Sequence, residues 1–483
     1  MRDGILRTFA RIMSETMSPI TPKRIPIPKN GVDYRGKVVL APMVRSGECP
    51  SRLLALQYGA DLVWGMFLIQ NCTYYTFKTL ANDTAPLGPE TIDRALIGCT
   101  RTENKRLGTV DFHRASSNGG VHMPEKPDSI IYRLHPEREG KKLIHQIGTS
   151  SPILAVQAAR LIAGDVAGID VNAGCPKPFS TSGGMGAALL RTPDTLVSIL
   201  EALVNEIGKE FEIGISVKIR LLETPEQTEA LVRRLVKTGI TGLTIHCRTT
   251  PMRPRERAIR DQLKMIVGVC HEAGVACVMN GDVENRQQAL QLMEEYGADG
   301  AMIATAAENN PSVFRTKADG GMAPWREVAK EYLKTALSVE NRWGNTKFEL
   351  AQLMTGKDPA FQRMNASKGY LQVVQAFDVP HLEELAADVD ARLGLGKPYV
   401  PKAEKRKAAK EALAKQEGDR ESKKPKVEEI PEDQQQSIAP GTVVDVLSGK
   451  DKESVPVLIP VPADPSLMQA PAAASTIDVG GAR

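Results

Sequence analysis

The chain has 483 residues, of which 42% are hydrophobic and 25% charged, so it can bury a full hydrophobic core. Its formal net charge of +4 does not by itself indicate binding to nucleic acid. Seven cysteines without a C-x-x-C pair argue against a disulfide scaffold and a zinc site, and no apolar run reaches the roughly 18 residues that a membrane span requires.

The two ends of the chain differ in composition from its middle. Residues 1–35 read as a flexible extension. Its three arginines before Met13 would suit a weak organelle presequence; the alternative is a terminus without such a role, in which translation starts at a later methionine. Residues 398–483 turn from Lys, Glu and Ala to Gln, Pro and Ser, which predicts a disordered tail. The KKPK at 423–426 is either a nuclear-import signal or a solvated charge run, so we expect a cytoplasmic or nuclear location, or both.

Between these ends, over residues 36–318, short apolar β-branched runs alternate with helical patterns. The segment 224–239 shows the helical pattern, with a Thr cap, early glutamates and a closing Gly. The apolar runs are 37–42, 61–64, 143–148, 167–172, 214–220, 242–247, 275–281 and 299–305. Eight buried strands with helices between them predict an α/β fold, a (β/α)8 TIM barrel, with a doubly wound sheet as the alternative.

Polar and small residues stand at or just past the ends of these runs. In a barrel they would all face one mouth, which is where such folds keep their active sites. They are Pro42, Met43, Gln146, Asn172, Cys175, Lys218, Arg220, His246, Arg248, Asn280, Gly281, Asp282, Ala304 and Thr305.

These residues indicate a flavin mononucleotide site. The seventh and eighth strands end in NGD and in small residues, which would free backbone N–H groups to hold a phosphate. Lys218 would place a cation beside a ring that becomes anionic on reduction, and Gln146 and Asn172 offer amides to a planar heterocycle. No G-x-G-x-x-G follows a strand, so a dinucleotide-binding Rossmann half is not visible.

Basic residues follow on two later segments. The segment RTTPMRPRERAIR at 248–260 carries five arginines and one glutamate, which suits phosphate recognition or, alternatively, a solvated basic loop. Residues 325–395 have a helical pattern and predict a small helical domain. Four basic residues there could contact an RNA backbone, namely Lys347, Lys357, Arg363 and Lys368.

Several motifs together resemble a known family. LAPMVRSGECPSRLLALQYGADLVW, HQIGTS, DVNAGCPKPFSTSGGMGAALL, SVKIR, TIHCRT, MNGD and NTKFEL are similar to the tRNA-dihydrouridine synthases, specifically the eukaryotic class that acts on position 20 of the D-loop. The resemblance covers about residues 36–380. It implies a TIM barrel, a helical tRNA-binding domain at 325–395, and uridine reduction with FMN and with NADPH or NADH. We expect a monomer whose partner is tRNA, with neither membrane nor metal.

The resemblance also assigns roles to residues of this sequence. Cys175 would be the catalytic proton donor, while Asn172, Arg220, Arg248 and Lys347 would contact the substrate. The FMN-binding residues would be Pro42, Met43, Val44, Gln146, Lys218, His246, Asn280, Gly281, Asp282, Ala304 and Thr305. Thr305 departs from the arginine that this class usually has there, which puts the affinity for FMN in question.

A thiol at position 175 suits the expected chemistry. Reducing the C5–C6 bond of uracil needs a hydride at C6 and a proton at C5, from an acid that is still protonated at neutral pH. A cysteine, with an ordinary pKa of about 8.5, meets that need, whereas an unperturbed carboxylic acid would already be ionised. Gly183 to Gly186 would let the loop fold back tightly on Cys175. An isolated cysteine is otherwise most often a small core residue.

The segment GMFLIQNCTYYTFKTLANDTAPLG at 65–88 does not read as a βα loop. It separates the second strand from PETIDRAL at 89–96, which normally follows at once in this family. Its codons can contain the splice-donor pattern GTATGT, the branch-point pattern CTAAC and an acceptor AG. Removing the bases between donor and acceptor keeps the reading frame, and we therefore predict that 66–88 is a retained intron. The alternative is a genuine loop that covers the substrate.

Two other functions stay open at this stage. One is FMN-dependent oxidation or reduction of a free pyrimidine, as in dihydroorotate and dihydropyrimidine dehydrogenases. The other is a tRNA-binding protein without catalysis. The helical segment and the arginine-rich loop favour tRNA over a free base, and Cys175 with Lys218 favours catalysis.

Overall fold

The computed structural model of the chain describes residues 24–43, 45–65, 96–115, 117–118, 121–122, 129–354, 356 and 358–396. The predicted extension before residue 24, most of the 65–88 segment and the tail 398–483 lie outside the described residues. The strands of the described part are β1 (Lys37–Leu40), β2 (Leu62–Gly65), β3 (Thr100–Asn104), β4 (Thr109–Arg114), β5 (Ser117–Asn118), β6 (Val121–His122), β7 (Ser129–Leu134), β8 (Leu143–Ile147), β9 (Gly168–Ala173), β10 (Gly214–Leu221), β11 (Gly242–Thr249), β12 (Ala276–Asn280) and β13 (Gly300–Ile303).

Eight of these strands close a parallel barrel, which confirms the predicted fold. The order around it is β1, β13, β12, β11, β10, β9, β8 and β2, and the pairing of Lys37 with Gly300 closes it. Each barrel strand overlaps one of the eight predicted runs, because strands covered on both faces are continuously apolar. The predicted and observed strand ends differ by at most two residues.

Helices connect the barrel strands on the outside. The helix Pro225–Leu235 shows the predicted signals: Thr224 and Gln227 form a reciprocal capping box, and Gly239 ends the following turn with a φ of +90°. The longer barrel helices are Cys49–Gln57, Pro152–Ile162, Pro193–Leu203, Pro225–Leu235, Leu263–Ala273 and Arg286–Tyr296; short ones are Pro136–Glu139, Pro178–Thr181, Lys209–Phe211 and Thr305–Asn309. None of the described helices is both long and apolar enough to span a bilayer.

Tyr34 closes the amino-terminal end of the barrel. Its ring lies 5.9 Å from that of Trp64, and both side chains are fully buried. A Cβ at Gly242 would come within 2.6 Å of the Tyr34 ring, and one at Gly300 within 2.8 Å of its carbonyl oxygen. This end of the barrel is therefore filled by side chains.

A second hydrophobic core follows the barrel in sequence. It joins five helices, as predicted for residues 325–395, and packs on Leu54 and Tyr58 at the end of the first barrel helix. The helices are Trp325–Ser338, Trp343–Leu353, Pro359–Ala366, Tyr370–Ala376 and Glu383–Leu393.

The sequence did not predict a three-stranded antiparallel sheet of β3, β4 and β7 between β2 and β8. The outer strand, TRTEN, is exposed along almost its whole length and so lacks the apolar alternation of a half-buried strand. On β7, Arg133 bonds to Asp111 and donates to the carbonyl of Glu340, 3.3 Å away. Arg106, in the β3–β4 turn, pairs with the Glu340 carboxylate. This sheet therefore ties the barrel to the helical region.

Candidate active site

The predicted site residues gather at the carboxyl end of the barrel, except Lys347, which lies on the helix Trp343–Leu353. Val44 lies outside the described residues. A cleft of about 390 Å³ opens over β10 to β13. The predicted residues that line it are Arg220, His246, Arg248, Asn280, Gly281, Asp282, Ala304 and Thr305.

The Cys175 loop is fixed through its backbone. The N–H groups of Gly174 and Cys175 both donate to Asn172 Oδ1, at 3.1 and 2.9 Å. The Cys175 carbonyl accepts from the Ala187 N–H at 2.9 Å, and the Gly174 carbonyl accepts from Arg220 Nε at 2.8 Å. Four backbone groups around the thiol are thus held, and Cys175 itself is only half-buried.

The glycine-containing segment 183–186 folds back on this loop, as predicted. Gly186 has a φ of +57°, a conformation that glycine adopts without strain. A Cβ at that position would come within 2.6 Å of the Cys175 carbonyl oxygen. Close backbone approach therefore requires glycine at 186.

A chain of side-chain hydrogen bonds leads from Asn172 into the barrel. Asn172 Nδ2 donates to Gln146 Oε1 at 2.8 Å, and Gln146 Nε2 donates to Asp170 Oδ2 at 2.7 Å. Ser216 Oγ donates to the other Asp170 oxygen at 2.7 Å. Burial raises the pKa of Asp170 to about 6. Sequence reasoning missed Asp170, although a lone acid inside an apolar strand was a visible signal.

Lys218 supplies a cation near these hydrogen-bonded side chains. It is the strand neighbour of Asn172 and is half-buried. Burial, followed by the charge of Arg220, lowers the pKa of Lys218 to about 8. The ammonium is therefore present at neutral pH and lost in mildly alkaline solution.

His246 is a neutral hydrogen-bond acceptor. Arg248 Nη1 lies 3.2 Å from His246 Nε2, and since a guanidinium only donates, the imidazole accepts at that nitrogen. Burial, and then the charges of Lys218 and Arg220, lower the pKa of His246. The proton of the neutral ring is therefore on Nδ1.

Arg248 holds the loop above β11. It is only 5% exposed and donates to the carbonyls of Pro254 and Glu256 and to the Asp282 carboxylate. Asp282 in turn accepts from the Ala258 N–H at 2.7 Å. Together with the contacts of Arg220 to the carbonyls of Gly174 and Thr249, these bonds show that both arginines fix backbone at the mouth.

Strands β12 and β13 end beside the cleft. Asn280 donates from its amide to the Met302 carbonyl at 2.9 Å, which joins β12 to β13. Gly281 has a φ of +122°, and a Cβ there would come within 3.1 Å of Ala258. Thr305 is exposed at the start of the helix Thr305–Asn309.

Some of the predicted basic residues are exposed, and others donate to backbone carbonyl groups. In the 248–260 segment, Arg253, Arg255 and Arg257 are exposed, whereas Arg260 donates to the carbonyls of Gly281 and Asp282. Lys347 donates to the carbonyls of Asn365 and Ser367 at the end of the helix Pro359–Ala366. Arg363 and Lys368 are exposed near that helix end, and Lys357 lies outside the described residues.

Comparison with known proteins places this site in a family. The family described as Dihydrouridine synthase (Dus) matches residues 83–386, which include the Cys175 loop and nearly all of the helical region. The chain belongs to the dihydrouridine synthase family. This dihydrouridine synthase is 46% identical over 374 residues to the tRNA-dihydrouridine(20) synthase (NAD(P)+) of Schizosaccharomyces pombe, covering 76% of this chain and 70% of that protein.

A second relative has the same name. The tRNA-dihydrouridine(20) synthase (NAD(P)+) of Saccharomyces cerevisiae is 44% identical over 336 residues, which cover 68% of this chain and 80% of that protein. More distant is the tRNA-dihydrouridine(20a/20b) synthase of the same yeast, 28% identical over 256 residues, with 51% of this chain and 67% of that protein covered. The resemblance inferred from the motifs is thereby confirmed.

Proposed function

We propose that this dihydrouridine synthase reduces uridine to 5,6-dihydrouridine at position 20 of the tRNA D-loop, with NADPH or NADH as the reductant. The observation that carries the proposal is a half-buried thiol, Cys175, whose backbone is held on both sides at the mouth of a barrel. The two yeast proteins named for position 20 support the choice of uridine.

The residues at the mouth fit FMN. The cleft over β10 to β13 is lined by small residues at 281 and 304 and by the neutral ring of His246, and Lys218 supplies a cation on β10. These groups suit a phosphate at one end and, at the other, a ring that becomes anionic on reduction. The residues that would hold FMN are Pro42, Met43, Gln146, Lys218, His246, Asn280, Gly281, Asp282, Ala304 and Thr305. When bound, FMN supplies hydride chemistry that no amino-acid side chain offers.

Cys175 then has one task, to hold a proton and give it to C5 of the base. Lys218 and Arg220 lie close enough to interact electrostatically with the charge that a departing proton leaves on the sulfur. Asn172 and Arg220 keep the loop in place by binding its backbone. General-acid help of this kind is typically worth about 10² to 10⁴ in rate.

Exposed cations on two parts of the chain suit the phosphates of tRNA. Arg253, Arg255 and Arg257 lie on the loop after β11, and Arg363 and Lys368 lie on the helical region. Phosphate contacts fix the register of a nucleic acid, while the target base has to leave its stack to enter a barrel mouth.

The test uses the purified full chain, its released flavin, NADPH and tRNA transcribed without modifications. We expect the protein to release FMN on denaturation and to form dihydrouridine, which mass spectrometry of tRNA fragments locates at position 20. A colourless protein that cannot be reconstituted with FMN would contradict the proposal. So would turnover of free uracil or dihydroorotate without any turnover of tRNA.

A further inference from the structure

Asp170 lies in the barrel interior, below the mouth. Its side chain is 0% exposed, and its strand neighbours are Gln146 on β8 and Ser216 on β10. Both neighbours donate to it, one to each carboxylate oxygen. No catalytic or cofactor role was expected for Asp170, yet it is connected to the Cys175 loop by three successive hydrogen bonds.

The direction of these bonds is determined at both ends. An ionised carboxylate only accepts, so Gln146 must turn its NH₂ group toward Asp170. The Gln146 oxygen then faces Asn172, which must turn its own NH₂ group toward Gln146. This leaves the Asn172 oxygen to accept from Gly174 and Cys175, whose N–H groups only donate. A reversed amide at either position would place donor against donor or acceptor against acceptor.

The geometry points to Asp170 as a positioning residue, whose carboxylate sets the orientation of the Gln146 and Asn172 amides and so helps to hold the backbone of Cys175. This inference rests on the proposed function, since Cys175 matters as the proton donor of that reaction. It assigns Asp170 no contact with substrate.

A charge-relocation experiment tests the direction of the bonds. In Asn172→Asp, acceptor-only groups stand at both sides of Gln146, which can donate its NH₂ to only one of them. In the double variant Asp170→Asn/Asn172→Asp, Gln146 can turn over, accept from the new amide at position 170 and donate to the new carboxylate at position 172, and the oxygen that receives the Cys175 N–H is kept. Asp170→Asn alone can keep the original direction, with its oxygen toward Gln146 and its NH₂ toward Ser216.

The readout is hydrogen–deuterium exchange of the peptide that contains Gly174 and Cys175, in the full chain as purified. We expect Asn172→Asp to exchange about tenfold faster or more, because a buried acceptor pair without a donor is costly. The double variant should return to within about threefold of the wild type. Ser216→Ala is the matched control: it removes a bond to Asp170 that is not on the path to Cys175, and its exchange should stay at the wild-type value.

Single-turnover reduction of tRNA should follow the same order, and reduction of the bound flavin by NADPH, which does not use the thiol, should stay at the wild-type rate in the Ser216→Ala control. If the double variant exchanges no more slowly than Asn172→Asp, the inference is wrong. Amide exchange needs no tRNA, so an absence of tRNA activity would overturn the proposed function and leave this test standing.

Discussion

Tyr132 occupies the space that a side chain at Gly65 would need. A Cβ at position 65 would collide with the phenol oxygen of Tyr132, whose ring packs edge-on against His145 at 4.8 Å between centroids. Gly65 is the last residue of β2, and Tyr132 lies on β7 of the additional sheet. Position 65 therefore has to be glycine for the sheet to pack on the barrel.

This requirement bears on the predicted retained intron at 66–88, which falls outside the described residues. Splicing after the first base of codon 65 and before the second base of codon 88 would rebuild a glycine codon, so the chain would read DLVWGPETIDRAL. We expect reverse-transcribed message across codons 60–95 to give a product without these codons.

The control is genomic DNA, which should give the longer product. A single message that retains the segment would contradict the prediction, as would a peptide from 66–88 in protein purified from its native source. A chain expressed without 66–88 should retain FMN and have a melting temperature at least equal to that of the long chain, because it keeps Gly65 beside Tyr132.

Replacing Cys175 by Ala should separate proton delivery from binding. The loop is held through backbone groups, so the variant should keep FMN and bind tRNA with unchanged affinity. Its single-turnover rate of uridine reduction should fall by about 10² to 10⁴. Cys270→Ala, a buried cysteine on the helix Leu263–Ala273, is the control and should keep the rate. If Cys175→Ala unfolded and Cys175→Ser were fully active, the sulfur would be structural.

FMN affinity should depend on the charge of Lys218. The pKa of about 8 lies below the ordinary value of 10.5, so the ammonium is lost as the pH rises through 8. Titrating flavin-free protein with FMN, we expect binding to weaken between pH 7 and pH 9 by up to about tenfold, the effect of losing one charge contact. Lys218→Arg keeps its charge and should give a flat profile; a wild-type profile that is also flat would refute this role.

The lowered pKa of Lys218 also makes the stability of the fold depend on pH. As the pH rises, stability should increase while FMN binding weakens. The folded state holds the Lys218 proton less tightly than the unfolded state does. The free-energy cost of burying the ammonium is therefore present in full below pH 8 and disappears as the pH rises toward 10.5.

Glu349 should lose its proton at a higher pH than an ordinary glutamate. It is 4% exposed where the helix Trp343–Leu353 meets the barrel, and burial together with Glu308 and Glu48 raises its pKa well above the usual 4.5. Such a group stabilises the fold fully below its unfolded pKa, and this contribution is lost as the pH rises. Glu349→Gln should therefore gain thermal stability relative to the wild type progressively above pH 4.5.

The matched control for this measurement is Glu294→Gln, an exposed glutamate on the helix Arg286–Tyr296. Its melting temperature should differ from that of the wild type by the same small amount at every pH. A Glu349→Gln difference that did not grow between pH 5 and pH 8 would show that this carboxyl is ionised in the folded protein.

The barrel was predictable because its strands are buried on both faces and read as apolar runs, and the mouth because their ends share one edge. The roles of individual side chains were less predictable. Arg248 and Arg253 look alike in the sequence, yet one is buried on carbonyl groups and the other is exposed. Asp170 was missed because its partner Gln146 is 24 residues away, and strand register alone brings them together.

The central claim is that Cys175 donates the proton for uridine reduction in tRNA. The most direct test is mass spectrometry of the D-loop fragment from cells that lack this enzyme and carry either the wild-type chain or Cys175→Ala. We predict dihydrouridine at position 20 with the wild type, and unmodified uridine with the variant at equal protein and FMN content. Dihydrouridine restored equally by both chains, or by neither, would contradict the account.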